Sequence, residues 1–148
     1  NDAPSSVSRL IELGVPYYLI RATVLGVMAQ RLVRTLCPAC KTPTELDPAA
    51  WQELTKPWNA PLPTGAMQPV GCPECRDTGY RGRAGVYEIL TLSDSLRELV
   101  TADTDITALR RQAFKEGMRS LRLSGAQKIA AGFTTVEEVL RVTPQSER

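Results

Sequence analysis

The sequence predicts an α+β protein, mostly helical with a few strands, fastened in its middle by cysteines. Three observations carry this. Apolar residues recur at helical spacing near both ends of the chain, and capping residues and glycines bracket these stretches. Only Val27 to Leu36 and Val86 to Leu90 read as strands. Between Cys37 and Cys75 lie eight of the eleven prolines and all four cysteines. A stretch so rich in proline cannot build a regular core, so it needs another fastening.

Taken in order, residues Asn1 to Leu13 predict a helix. Asn1 or Asp2 can cap it, Pro4 suits its first turn, and Val7, Leu10 and Ile11 form its apolar stripe. Gly14 stops it, and Pro16 can open a second helix from Tyr17 to Leu25. Val27 to Leu36 follows as a strand, because Gly26 precedes it and Cys37-Pro38 ends it. Asp47 and Pro48 are cap and first residue of a short helix ending at Leu54. Lys56 to Gln68 has no periodicity and reads as irregular. After the strand Val86 to Leu90 the rest is helical. Ser93 or Asp94 caps a helix ending near Thr101, and Asp105 caps Ile106 to Glu116. Met118 to Ala131 forms another helix, with Gly125 as a weak point. Thr134 or Thr135 caps Val136 to Val142, with Glu137 and Glu138 at capping-box positions. Disorder is expected only from Pro144 to Arg148.

Composition excludes several classes. The 148 residues are 43% hydrophobic and 23% charged, which supports a core and argues against a disordered tail. The net charge of +2 is far from that of a dedicated nucleic-acid binder. With no histidine, the commonest acid/base at neutral pH is missing, and any metal must be held by Cys, Asp or Glu. No apolar run reaches the roughly 20 residues needed to span a bilayer. No secretory signal pattern is visible. The opening Asn-Asp-Ala-Pro lacks an initiator Met, which fits a fragment, a processed chain or a trimmed one alike.

The cysteines fall into two pairs, Cys37-Pro-Ala-Cys40 and Cys72-Pro-Glu-Cys75, with 31 residues between Cys40 and Cys72. Two such knuckles are the usual frame of a tetrahedral Cys₄ zinc site. Two residues between thiolates let one tight turn direct both sulfurs at one ion. Zn²⁺ accepts four thiolates because it brings no geometric preference of its own. The gap between the knuckles requires an insertion. Two disulfides, a redox Cys-x-x-Cys pair or an iron–sulfur cluster remain as alternatives. With four protein ligands and no open position, a zinc here is structural rather than catalytic.

Other motifs carry less. The sequence contains no G-x-x-x-x-G-K-[ST] phosphate loop. Gly79, Gly82 and Gly85 precede a strand, so they read as turn residues rather than a phosphate cradle. Arg31, Arg34, Arg76, Arg81 and Arg83 flank the cysteines. They could offset a negative zinc–thiolate centre on a solvated face, or touch a nucleotide or a partner subunit. A zinc-ribbon nucleic-acid module is the competing class, and the modest charge and sparse aromatics stand against it.

Three stretches together resemble the secretion ATPase superfamily. They are Ala29 to Lys41 (AQRLVRTLCPACK), Gly71 to Leu90 (GCPECRDTGYRGRAGVYEIL) and Gly132 to Thr143 (GFTTVEEVLRVT). The opening NDAPSSVSRLIELGV resembles the segment that follows that family's His box. More closely, the chain is similar to the C-terminal end of the type II secretion ATPase, the E component, with the pilus-assembly ATPases as near relatives. The resemblance implies a parent that is a P-loop ATPase: a cytoplasmic, RecA-like hexamer at the inner membrane whose ATP hydrolysis, with Mg²⁺, drives a pseudopilus in protein transport. Other subunits of the homo-hexamer and inner-membrane platform proteins would be its partners, without nucleic acid and without a transmembrane segment. It implies three pieces: residues 1–36 as the end of the RecA-like domain, 37–75 as a tetracysteine zinc-binding subdomain, and 76–148 as a return strand and helical subdomain. Cys37, Cys40, Cys72 and Cys75 carry over as zinc ligands. No catalytic residue carries over, since the family's Walker A and acidic boxes would precede Asn1, so this chain alone should be inactive.

Overall fold

The computed structural model describes residues 2–144. Asn1 as a cap, and the expected disorder after Pro144, lie outside the described residues. The fold is α+β, as predicted, with seven α-helices and four strands among the described residues.

The chain divides into two compact units, each made of two separate stretches. Asn1–Ala29 with Tyr87–Ser120 makes the first, and Gln30–Val86 with Leu121–Arg148 makes the second. Two of the three cuts fall within strands, β1 (Gly26–Leu36) and β4 (Tyr80–Thr91), which pair with each other, and the third falls between Ser120 and Leu121. β4 is much longer than its alternating stretch Val86 to Leu90 suggests. The glycine-punctuated residues before Val86, read as turns, continue the strand, where the Arg81 carbonyl accepts from the Thr35 hydroxyl.

In the first unit, α1 (Ala3–Glu12) begins as expected, with the Asp2 carboxylate accepting from the Ser5 N–H at 3.1 Å. Arg110 holds Asp2 from the other side at 2.7 Å. Buried Glu88 accepts from the Ala3 N–H at 2.6 Å. α2 (Tyr17–Thr23) stops short of Leu25 because Val24 takes an extended backbone. α4 (Asp94–Glu98) is capped by Ser93 and also ends early, the chain closing with turns at Leu99 and Val100. α5 (Ile106–Lys115), capped by Asp105, packs on α1 and α4. The core is aliphatic: Val7, Ile20, Leu90, Leu96, Val100 and Leu109 are fully buried.

In the second unit, α3 (Pro48–Thr55) packs on α6 (Leu121–Ala130), which packs on α7 (Val136–Val142). The insertion between the knuckles is therefore a packed layer and not a free arm. Trp51 and Leu54 are buried, and the Trp51 indole donates to the Ala60 carbonyl. Lys56 to Gln68 is irregular as expected until its last two residues, which form β3 (Met67–Gln68) against β2 (Thr42–Pro43). α6 starts at Leu121, three residues later than predicted, and runs unbroken through Gly125. Gly125 faces α7, where an added Cβ would lie 2.5 Å from a Val139 methyl. It marks a close helix approach, not a break.

The cap of α7 departs from expectation in one half. Thr135 accepts from the Glu138 N–H, as a capping box requires. The Glu138 carboxylate, however, goes to β1. It accepts from the Arg34 N–H at 2.8 Å and from the Arg34 guanidinium at 2.9 Å, with Arg141 at 3.0 Å. Burial would raise the Glu138 pKa, but the bonds from Arg34 and Arg141 outweigh it and hold the pKa at about 2.

Candidate metal centre

Two local structures bring the cysteines together. Cys37 directly follows β1, and its N–H donates to the Gly79 carbonyl at 2.9 Å. The N–H groups of Cys40 and Lys41 then return to the Cys37 carbonyl, closing the first knuckle as a turn. The second knuckle is a single 3-10 turn, Pro73–Cys75, followed by left-handed backbone at Arg76 and Asp77. Its exit needs Gly79, whose φ is +81° and whose Cβ would sit 2.4 Å from Pro69. The β2–β3 ladder pairs Thr42 with Gln68 and Pro43 with Met67. That pairing follows one knuckle and precedes the other, so it gathers both ends of the insertion at one place.

All four Sγ atoms lie within 4.8 Å of one another. Cys37 to Cys72 is 3.8 Å, Cys40 to Cys75 is 3.9 Å, and Cys72 to Cys75 is 3.7 Å. A tetrahedral ion with about 2.3 Å metal–sulfur bonds has sulfur–sulfur edges of about 3.8 Å. The donor set and its spacing therefore fit one tetrahedral ion of thiophilic type. The four thiols are not joined as disulfides. Cys37 and Cys75 are buried, and Cys40 and Cys72 are half-buried.

The groups facing the sulfurs are backbone donors. Gly79 and Cys72 N–H groups point at Cys75 Sγ at 3.2 and 3.3 Å, and the Gly71 N–H points at Cys40 Sγ at 3.4 Å. Burial would raise the Cys75 thiol, yet the Gly79 and Cys72 N–H groups bring it down to about 6. On Cys72, a backbone bond from Cys75 lowers the pKa, while burial and the neighbouring Cys75 and Cys37 sulfurs push it up to about 11. Thiols this close cannot all ionise without a cation among them. Gly71 and Gly79 were not singled out as site residues in the sequence. Their signal is positional, since one directly precedes Cys72 and the other lies four residues after Cys75.

Three of the five flanking arginines have partners other than the sulfurs. Arg34 is committed to Glu138 and stacks over the Tyr80 ring, 4.2 Å from its centroid. Arg81 pairs with Glu74 at 3.8 Å, and Arg31 donates to the Gln30 carbonyl. The site is tied instead to the turn between α6 and α7. The Lys41 ammonium donates to the Gly132 carbonyl at 2.9 Å, and the Leu36 N–H to the Phe133 carbonyl at 2.8 Å.

Residues 1–141 match the family described as "Type II/IV secretion system protein". The chain belongs to this family. Among members of the family, the type IV pilus assembly ATPase TfpB of Acinetobacter baylyi is 49% identical over 97% of the chain and 25% of its own length. The type IV pilus assembly ATPase PilB of Myxococcus xanthus is 43% identical over 95% of the chain and 25% of its own length. The type II secretion system protein E of Pseudomonas aeruginosa is 43% identical over 97% of the chain and 28% of its own length. The chain thus spans about a quarter of the length of these secretion-system relatives. Among the described residues no helix is long and apolar enough to cross a membrane.

Proposed function

We propose that this chain is the C-terminal, non-catalytic part of a hexameric ATPase that powers type II protein secretion by driving pseudopilus assembly. The end-to-end family match carries the reading, together with relatives named as ATPases of secretion and pilus systems. Residues 1–36 would complete a RecA-like domain, residues 37–75 would be the metal-binding subdomain, and residues 76–148 would supply the return strand and the helical subdomain. The parent would bind ATP and Mg²⁺ at segments outside these 148 residues and act as a translocase motor. It would work in the cytoplasm, peripheral to the inner membrane and against its platform proteins. The 148-residue chain alone contains no phosphate-loop sequence, and it should not hydrolyse ATP.

Within this reading, Cys37, Cys40, Cys72 and Cys75 hold a structural Zn²⁺. The sulfur–sulfur distances of 3.7 to 3.9 Å support it. The ion, when bound, supplies no reaction chemistry; it joins the two ends of a loop that proline prevents from packing regularly. This chain's residues orient the sulfurs and shield Cys37 and Cys75 from water. Native mass spectrometry tests the site: one zinc per chain is expected, and a folded chain with four free thiols and no metal refutes it.

A second reading is the type IV pilus branch. One observation favours it: the TfpB relative is 49% identical, against 43% for the type II protein E of Pseudomonas aeruginosa. Deleting the gene in its host separates the two readings. Loss of secreted enzymes with intact surface pili supports the type II reading, and the reverse supports the pilus reading.

A further inference from the structure

We propose that the four cysteines are a redox-reversible fastener, in which a peroxide turns the metal-holding set into two cross-knuckle disulfides, Cys37–Cys72 and Cys40–Cys75. This rests on the Cys₄ metal reading above.

The geometry sorts the sulfurs into two like pairs. Each knuckle contributes one half-buried sulfur, Cys40 or Cys72, and one buried sulfur, Cys37 or Cys75. Across the knuckles each reachable sulfur faces a buried one, Cys72 against Cys37 at 3.8 Å and Cys40 against Cys75 at 3.9 Å. The reachable Cys72, which would be a thiolate while it holds the metal, attacks a peroxide oxygen. An S–O bond forms, the O–O bond breaks and hydroxide leaves, giving a sulfenic acid. The Cys37 thiolate then attacks that sulfur, forming S–S and expelling the oxygen as a second hydroxide. The two sulfurs lose two electrons in all, and the peroxide gains them. The Cys40–Cys75 pair reacts in the same way with a second peroxide. Each bond closes a gap of 3.8 to 3.9 Å to about 2.05 Å, about 1 Å of travel per sulfur, within reach of side-chain rotation.

Cys72 also lies 3.7 Å from Cys75, so a bond inside the knuckle competes. Cross-pairing prevails because both of its contacts are in place, Cys37–Cys72 at 3.8 Å and Cys40–Cys75 at 3.9 Å, whereas inside the knuckles only Cys72–Cys75 makes one. Its consequence is specific. Cross-knuckle bonds keep both ends of the insertion tied after the metal has left, whereas bonds inside each knuckle would let them part.

The test uses the purified chain. Metal content is measured first by native mass spectrometry. Hydrogen peroxide is then added, metal release is followed with a chromogenic chelator, and peptides are mapped without reduction. Full metal loss is expected, with peptides linked 37–72 and 40–75, and full recovery on adding a dithiol and Zn²⁺. Links 37–40 and 72–75 overturn the proposal. So does release accompanied only by sulfinic acids, or metal retained at peroxide levels that fully oxidise free cysteine. A chain that purifies without metal fails at the first measurement, which removes the Cys₄ reading and this inference with it.

Discussion

The two units bury different chemistry. The first relies on aliphatic side chains, with Val7, Ile20, Leu96, Val100 and Leu109 all sealed from water. Among the described residues, the second buries six of the seven buried polar or charged ones: Thr55, Arg122, Thr134, Thr135, Glu138 and Thr143. It also contains all four cysteines and the proline-rich insertion. Burying apolar area is stabilising without direction, whereas buried polar groups contribute only when each finds its partner. The first unit should therefore lose stability gradually as its core is eroded. The second should fail at particular knots.

Metal removal separates them most strongly. Structural zinc contributes about 10–16 kcal/mol of apparent binding free energy in small domains, comparable to a whole domain's stability of about 5–15 kcal/mol. Stripping the metal, or replacing Cys75 with Ala, is expected to abolish amide protection across residues 30–86, and across residues 121–144 through the Lys41 and Leu36 bonds to the α6–α7 turn. Residues 2–29 and 87–120 should stay protected. Hydrogen exchange followed by mass spectrometry reads both; equal loss in the two units would erase the contrast.

Leu109→Ala probes the opposite side. Leu109 is fully buried on α5, so its truncation should cost about 3 kcal/mol from lost burial and the cavity left behind. Zinc stoichiometry should not change. A variant that loses both stability and metal would mean that the units unfold as one.

Glu138→Gln tests a knot that contains no metal. The carboxylate is buried and serves Arg34 and Arg141, whose side chains are 48% and 58% exposed. That exposure screens the pairs, so the expected loss is about 2 kcal/mol. Its pH dependence has a definite sign. The folded-state pKa of about 2 lies below the ordinary 4.5, so the stabilisation is complete above pH 4.5 and is lost as the pH falls toward 2. Melting temperatures of the native chain and E138Q should differ at pH 7 and converge below pH 4.5. A gap that stays constant with pH would assign the effect to packing.

The same contrast explains what the sequence made legible. Local signals were readable because they act over a few residues. Asp2, Asp47, Ser93, Asp105 and Thr135 all cap the helices they precede. The knuckle spacing marked four sulfurs that do converge. Long-range choices were not readable. Glu138 carries a capping-box signature, yet its carboxylate serves a residue 104 positions away. Gly125 reads as a helix breaker until Val139 is seen packed against it. β4 looks short because its first half, Tyr80 to Gly85, carries glycines and arginines in place of alternating apolar residues. The arginines beside the cysteines suggested charge compensation, but the donors facing the sulfurs are backbone N–H groups, which no side-chain pattern records.

The smallest expected effect gives the sharpest control. Asp105 lies at the start of α5, and its carboxylate accepts from the Ala108 N–H at 3.2 Å. It is exposed and serves only a helix of the first unit. Asp105→Ala removes the acceptor for one of the helix's unsatisfied N–H groups and should cost about 1 kcal/mol. Asp105→Asn restores an acceptor without the charge, so it should recover most of that loss. If the units respond separately, exchange should speed up in residues 106–115 by a few-fold while residues 121–142 keep their rates. Faster exchange in α6 and α7 as well would show that a cap in the aliphatic unit is felt in the polar one, and the two would then have to be treated as a single cooperative body.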